Sequence, residues 1–226
     1  MSVSGASPQL HVSRRARLSA VTALGAVGVA VAATGYLHAM AGPEVDPVSH
    51  TVSSYVHAVG GPEVFAVAAV SLAAGAVALF FGLATAGVPL DRGTRGLAGV
   101  WCASLLLVAV FPSDVPGTEV TVTGAIHNWA GGSVFLCLPA AAWRMSSALT
   151  GAWEVVAGVI RFFAAGAGVA LAGFVLTHPG VIRWYGLSTP WHGLGERILL
   201  GFQVGMLVTL AARLWRVASR PQGAVG

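Results

Sequence analysis

Lysine does not occur in this chain of 226 residues, and charged side chains of every kind make up only 9% of it. Soluble domains carry about 25% charged residues, so the scarcity of charge excludes a water-soluble globule. The same apolar bias, 56% hydrophobic with a mean hydropathy of +0.79, excludes an intrinsically disordered chain. Two cysteines are too few for a disulfide scaffold, and Cys102 and Cys137 do not have the spacing of a zinc finger. A pI near 9.8 does not point to nucleic acid, because the longest basic run is only Arg14, Arg15 and Arg17. Arginine in place of every lysine, with abundant Ala, Gly and Val, points instead to a GC-rich bacterial coding sequence.

What the chain does have is long apolar runs. A hydrocarbon core about 30 Å thick takes about 20 residues of helix to cross. Six segments qualify, at about 18–40, 64–88, 96–111, 125–143, 155–177 and 197–215, the third being short at 16 residues. The first follows arginines and ends in Ala39-Met40-Ala41, like a secretory leader. Its apolar run is longer than the roughly 7–15 residues of a leader, so it reads as a retained helix. The expected fold is all-α: a bundle of six transmembrane helices over 18–216, with an N-terminal cytoplasmic tail at 1–17 and a C-terminal one at 217–226.

Orientation follows from the arginines, which collect on cytoplasmic loops. With both termini inside, Arg14, Arg15, Arg17, Arg92, Arg95, Arg144, Arg161, Arg213, Arg216 and Arg220 lie on that side, and only Arg183 and Arg197 lie outside. The tryptophans form two belts on this reading, Trp129, Trp184 and Trp191 outside, Trp101, Trp143, Trp153 and Trp215 inside. The expected location is the bacterial plasma membrane, as a multi-pass protein surrounded by membrane lipids. Small residues at four-residue spacing, Gly201 with Gly205 and Ala164 with Gly168 and Ala172, allow close helix approach. Cys102 and Cys137 read as buried free thiols.

The polar residues gather at one face. The outer loops 41–63, 112–124 and 178–196, with the adjoining helix ends, hold His38, His50, His57, His127, His178 and His192, six of seven histidines. They also hold Glu44, Asp46, Glu63, Asp114, Glu119 and Glu196. In the first loop His50, Ser53, Ser54 and His57 recur at i, i+3, i+4 and i+7 opposite Val48, Val52, Tyr55, Val56 and Val59. That pattern predicts a short amphipathic helix at the outer interface, or dipping in over the bundle. In the second loop Pro112 ends a helix and Asp114 can return to His127, fixing its tautomer, or cap a turn. In the third, Glu196 opens the sixth helix with Gln203 two turns beneath it, and Arg197 needs a partner at that depth. An Asp114–Arg197 ion pair between the third and sixth helices is the leading structural expectation.

In order along the chain stand Asp46-Pro47-Val48-Ser49-His50-Thr51-Val52-Ser53, Phe111-Pro112-Ser113-Asp114, Gly124-Ala125-Ile126-His127-Asn128-Trp129-Ala130-Gly131, and Gly195-Glu196-Arg197. This resembles the bacterial six-span membrane proteins called domain of unknown function 998, over roughly residues 20–216. Members often carry an acid after the histidine, where this chain has Asn128. The resemblance implies the six-helix fold and carries no catalytic roles. A looser likeness, to the alkaline ceramidase and adiponectin-receptor-like zinc hydrolases, lacks their paired His-x-x-x-His, since His178 and His192 stand fourteen apart.

Two functions fit these residues. The first is binding or sensing of a lipid or small amphiphile at the outer face, without chemistry. The alternative is a zinc-dependent hydrolase of a lipid headgroup, with ligands among His50, His57, His127 and His192. Asp114 would then be a ligand or support, Ser53 a water-positioning group, and Glu196 a further catalytic candidate. A coupled transporter needs ionisable groups near the bilayer midplane, and none is expected there. Axial haem ligation needs facing histidine pairs within the spans, and none is evident.

Overall fold

In a computed structural model, residues 8–42, 45–115, 117–178 and 191–219 are described, with side chains from Arg14 onward. Glu44, Arg220 and residues 179–190, with Arg183 and Trp184 among them, lie outside them. The described residues form six long helices and no strand: α1 (Pro8–Ala41), α2 (Gly61–Thr85), α3 (Arg92–Val110), α4 (Val122–Ser146), α5 (Glu154–Leu176) and α6 (His192–Ala218). Five of them, all but α4, are long and apolar enough to cross a membrane. The fourth carries Thr123, His127, Asn128 and Arg144 among several glycines, which lowers its hydropathy.

Punctuation in the sequence sets the helix ends. Pro8 opens α1, where its missing N–H costs nothing. Gly87, at φ 77°, ends α2, and Val88 N–H reaches back to the Leu83 carbonyl at 3.0 Å. Asp91 caps α3 by accepting the Thr94 N–H at 2.6 Å, and Thr121 caps α4 by accepting that of Gly124 at 3.1 Å. The first helix begins ten residues before position 18. No breaker stands between Pro8 and Leu18, and Ala16 is already buried against the bundle. The expected N-terminal tail is therefore helical from Pro8.

Each helix packs on its neighbours in sequence, and α6 closes the ring against α1 while also touching α2 and α4. It accordingly buries a stripe at three- and four-residue spacing: Glu196, Leu199, Gln203, Met206, Leu210 and Leu214. The polarity across the helices is that of a membrane bundle. Buried faces are small, as with Ala16, Ala20, Ala23 and Ala30 of α1, whereas Val155, Phe162, Val169 and Leu176 of α5 point outward. Pro139 is accommodated within α4 and buried.

At the centre, Gln203 is only 2% exposed yet fully bonded. Its Oε1 accepts the Trp101 indole N–H at 3.1 Å, and its Nε2 donates to the Val134 carbonyl at 3.1 Å and the Phe135 carbonyl at 3.4 Å. One amide thus joins α3, α4 and α6. Trp101 consequently lies in the core, at 1% exposure, and not in an interfacial belt; Trp153 is buried as well. The indoles of Trp129, Trp143, Trp191 and Trp215 are exposed, as belt residues must be.

Of the small residues picked out by their spacing, Gly205 stands at a close helix contact and Ala164 is buried. Gly168, Ala172 and Gly201 face outward. The interlock between α5 and α6 is reciprocal, with Phe202 over Gly166 and Phe163 over Gly205. Between α1 and α2, a Cβ on Gly75 would stand 2.7 Å from the Cβ of Ala26. Cys102 is half-buried, Cys137 is buried, and both are free thiols.

These contacts give opposite signs to one substitution. Gly75→Ala forces two backbones apart and lowers stability by about 1 kcal/mol or more. Gly201→Ala enters open space and raises stability by roughly 0.5 kcal/mol through helix propensity. Thermal unfolding of the two variants in detergent measures both.

Candidate functional site

The loop between α1 and α2 folds down onto the helix ends. The Asp46 carboxylate accepts the Val48 N–H at 3.0 Å and the Ser49 hydroxyl at 2.6 Å, and both bonds hold it below the usual carboxylate range. Val52–His57 then form a single short helix, a 3₁₀ turn in place of the α-helix its spacing suggested. It buries Val52, Ser54, Tyr55 and Val56 and leaves His57 exposed. The segment packs on α1, α2 and α6. It covers the bundle end as a lid and does not lie flat on the surface.

The start of α6 holds this lid. Leu194 N–H donates to the Val48 carbonyl at 2.9 Å. Gly193 makes the approach possible, since a Cβ there would be 2.1 Å from the His50 carbonyl oxygen. The Glu196 carboxylate is buried and accepts the Val52 N–H at 2.5 Å. Gly61, at the foot of α2, similarly admits the Tyr55 carbonyl.

Arg197 spreads its guanidinium over neutral acceptors. Its Nη1 donates to the His50 carbonyl at 2.7 Å and the Gly193 carbonyl at 3.0 Å, Nη2 to the Tyr55 hydroxyl at 3.1 Å, and Nε to His38 Nε2 at 3.3 Å. Because arginine only donates, neutral His38 must carry its proton on Nδ1, which faces the Tyr55 hydroxyl in a short hydrogen bond. The guanidinium carbon also stands 5.7 Å from the Tyr55 ring centroid.

The expected Asp114–Arg197 ion pair does not form. Among the described residues the one salt bridge joins Arg144 and Asp91, at the other end of the bundle. The Asp114 carboxylate instead accepts the Thr121 hydroxyl at 2.7 Å and the Thr121 N–H at 3.0 Å. Those bonds, reinforced by the nearby His127 and His57 rings, hold it below its ordinary range. Gly124 leaves room for this carboxylate, which a Cβ would strike at 1.8 Å.

The histidines commit their nitrogens separately. His127 donates from Nδ1 to the Phe111 carbonyl at 2.7 Å, not to Asp114. His50 Nδ1 accepts the Asp46 N–H at 3.1 Å. Buried His192 stacks on Phe174 with ring centroids 4.2 Å apart, lies edge-on to His178, and has no partner for Nδ1 among the described residues. No three His, Cys, Asp or Glu side chains among the described residues are grouped as a metal site. The proposed zinc ligands His50, His57, His127 and His192 are therefore not assembled around one point. Ser53 faces structural duty too, with its hydroxyl 2.9 Å from that of Thr51 and its carbonyl accepting the Ser113 hydroxyl at 3.2 Å.

The arrangement that results is an anchored lid, not a catalytic constellation. His38 and Tyr55 matter to it, and Thr121 holds Asp114 beside it; none of the three is a site residue on the sequence reading. Tyr55 counts there toward the apolar side of the loop, and Thr121 shows only the spacing of a helix cap.

Between the end of α1 and the start of α2, beside the lid, lies a pocket of about 350 Å³. Leu37, Met40, Val59 and Val64 line it, with Tyr36 and Glu63 at its edges. An all-helical bundle with several apolar spans and outward-facing Val, Leu and Phe is a multi-pass integral membrane protein. A family profile described as "Protein of unknown function (DUF998)" matches residues 24–213, and the chain belongs to that family. No curated protein and no solved structure matches it.

Truncating the acid that holds the lid should release it. Glu196→Ala leaves the buried Val52 N–H without an acceptor, a loss of about 1–3 kcal/mol, and amide exchange across 48–57 should accelerate. Asp114 predicts a pH signature. A carboxyl with a lowered folded pKa stabilises fully above its unfolded value, and that stabilisation disappears as pH falls through the folded one. The melting-temperature gap between wild type and Asp114→Asn should stay constant near neutrality and close below about pH 4.

Proposed function

We propose that this protein is a six-span bacterial membrane protein, with both termini cytoplasmic, that binds a lipid or small amphiphile at its outer face. The sixth span is α4. Its 25 residues extend about 37 Å at 1.5 Å per residue, enough for the hydrocarbon core, and it packs between α3 and α5. The bias of ten arginines against two supports the orientation.

The observation that carries the binding reading is the pocket beside the lid. Apolar walls from Leu37, Met40, Val59 and Val64 suit a hydrocarbon chain, and the Glu63 carboxylate at the edge suits a cationic or zwitterionic headgroup. Ala58, Val59 and Gly60, which join the lid to α2, also line the pocket, so an occupant would bear on the link that carries the lid. Binding here requires no proton transfer and no metal. The scattered commitments of His50, His127 and His192 favour this reading over hydrolysis.

The test is titration of the detergent-purified protein with a lysophosphatidylcholine, with adducts counted by native mass spectrometry. Wild type should retain one molecule. Met40→Trp, which fills the pocket from an exposed position, and Glu63→Arg, which reverses the charge at its edge, should each weaken retention roughly tenfold, about 1.4 kcal/mol. Equal retention by all three proteins would overturn the reading.

A further inference from the structure

The larger cavity lies at the opposite, arginine-rich end of the bundle. Between α2, α3 and α4 opens a cleft of about 730 Å³, walled by apolar side chains such as Val77, Phe80, Ala84, Leu90 and Ala98. Its size is within the range of about 300–1,000 Å³ typical of small-molecule sites. An open apolar cleft among lipid-facing helices takes hydrocarbon. Its polar groups indicate what the hydrocarbon is attached to.

Those groups are Arg95, Arg144 and Asp91. Arg144 reaches from α4 across to α3, where Gly93 has no side chain to obstruct it; a Cβ there would be 2.8 Å from the guanidinium. Its Nη2 meets the Asp91 carboxylate at 2.5 Å, so these two charges cancel. Asp91 is further committed to the Thr94 N–H. Arg95 folds back to the Leu90 carbonyl through Nε at 2.7 Å, which fixes the arm and leaves both terminal nitrogens to an incoming group. Among the described residues no carboxylate pairs with Arg95. The cleft thus combines hydrocarbon walls with a net positive mouth built from two guanidiniums and one carboxylate. Guanidinium groups recognise phosphate oxygens through paired N–H donors, and basic pockets between transmembrane helices take anionic headgroups.

From this juxtaposition we propose that the cleft is a binding site for a single anionic phospholipid. Its acyl chain lies between α2 and α3, and its phosphate meets Arg95 and Arg144. This site is separate from the pocket beside the lid and requires a different headgroup, so each reading can fail without the other.

Two measurements test it on the full chain. In nanodiscs of mixed phosphatidylglycerol and phosphatidylcholine, native mass spectrometry of the released protein should show one phosphatidylglycerol retained in preference to phosphatidylcholine. Arg95→Ala should reduce that preference about tenfold, or 1.4 kcal/mol, while Arg216→Ala leaves it unchanged. Gly99→Leu adds apolar bulk at the cleft from a position that lines it and where a Cβ meets nothing within 4 Å. It should abolish retention in a folded protein. The second reading uses Cys102, which lines the same cleft. Its alkylation by N-ethylmaleimide should slow severalfold when phosphatidylglycerol is added and not when phosphatidylcholine is. Equal retention of the two lipids, retention unaffected by Arg95→Ala and Gly99→Leu, or Cys102 labelling indifferent to phosphatidylglycerol would each overturn the proposal.

Discussion

A guanidinium near the end of a transmembrane helix cannot leave its donors unsatisfied, and in this protein Arg197 meets that demand without a carboxylate. It draws in two backbone carbonyls, a tyrosine hydroxyl and a histidine ring. Those acceptors come from α1, from α6 itself and from the loop between α1 and α2, so satisfying one side chain brings three parts of the chain together. Glu196, one residue earlier, holds the same loop from inside through the Val52 amide. An acidic and a basic residue, adjacent in sequence, thus hold the lid by separate routes, each through neutral partners.

Deeper in the bundle the same logic recurs with a neutral group. Gln203 is placed where no water can reach it, and each of its polar atoms finds a partner on another helix. A polar group of this kind adds little stability in hydrocarbon, since the alternatives for it are also bonded. What it adds is registry, because an indole and a carbonyl on different helices must both stand at its level. The small-residue faces of α1 and α2, and the reciprocal Phe–Gly contacts of α5 and α6, then bring the backbones close enough for dispersion forces to hold the helices.

The two ends of the bundle differ in chemistry. At the end that carries the lid, polar groups are turned on one another and leave a small pocket lined in part by Glu63. At the arginine-rich end charge stands at the mouth of a larger apolar cleft. The arginines there read from sequence as topological markers alone, because asymmetry is visible in a string of residues and a cavity is not. Only the packing of α2 against α3, with Gly93 making way for Arg144, turns two of them toward a common space.

Much of the architecture was legible in the residues themselves. Six apolar runs, Pro and Gly at their ends and capping residues such as Asp91 locate the helices, because helix length and backbone satisfaction are local demands that a membrane makes severe. Crowding of histidines and acids toward one set of loops was legible for the same reason, through helix order alone. Partners were not. Asp114 turned to Thr121, His127 to a carbonyl and Arg197 to neutral acceptors, each a choice made between groups distant in sequence and close only after packing. Trp101 left the expected belt for the core on the same account, since a buried amide on α6 offered its N–H an acceptor. Spacing along one chain constrains which face a residue occupies, whereas the identity of what lies opposite is set by how six helices meet.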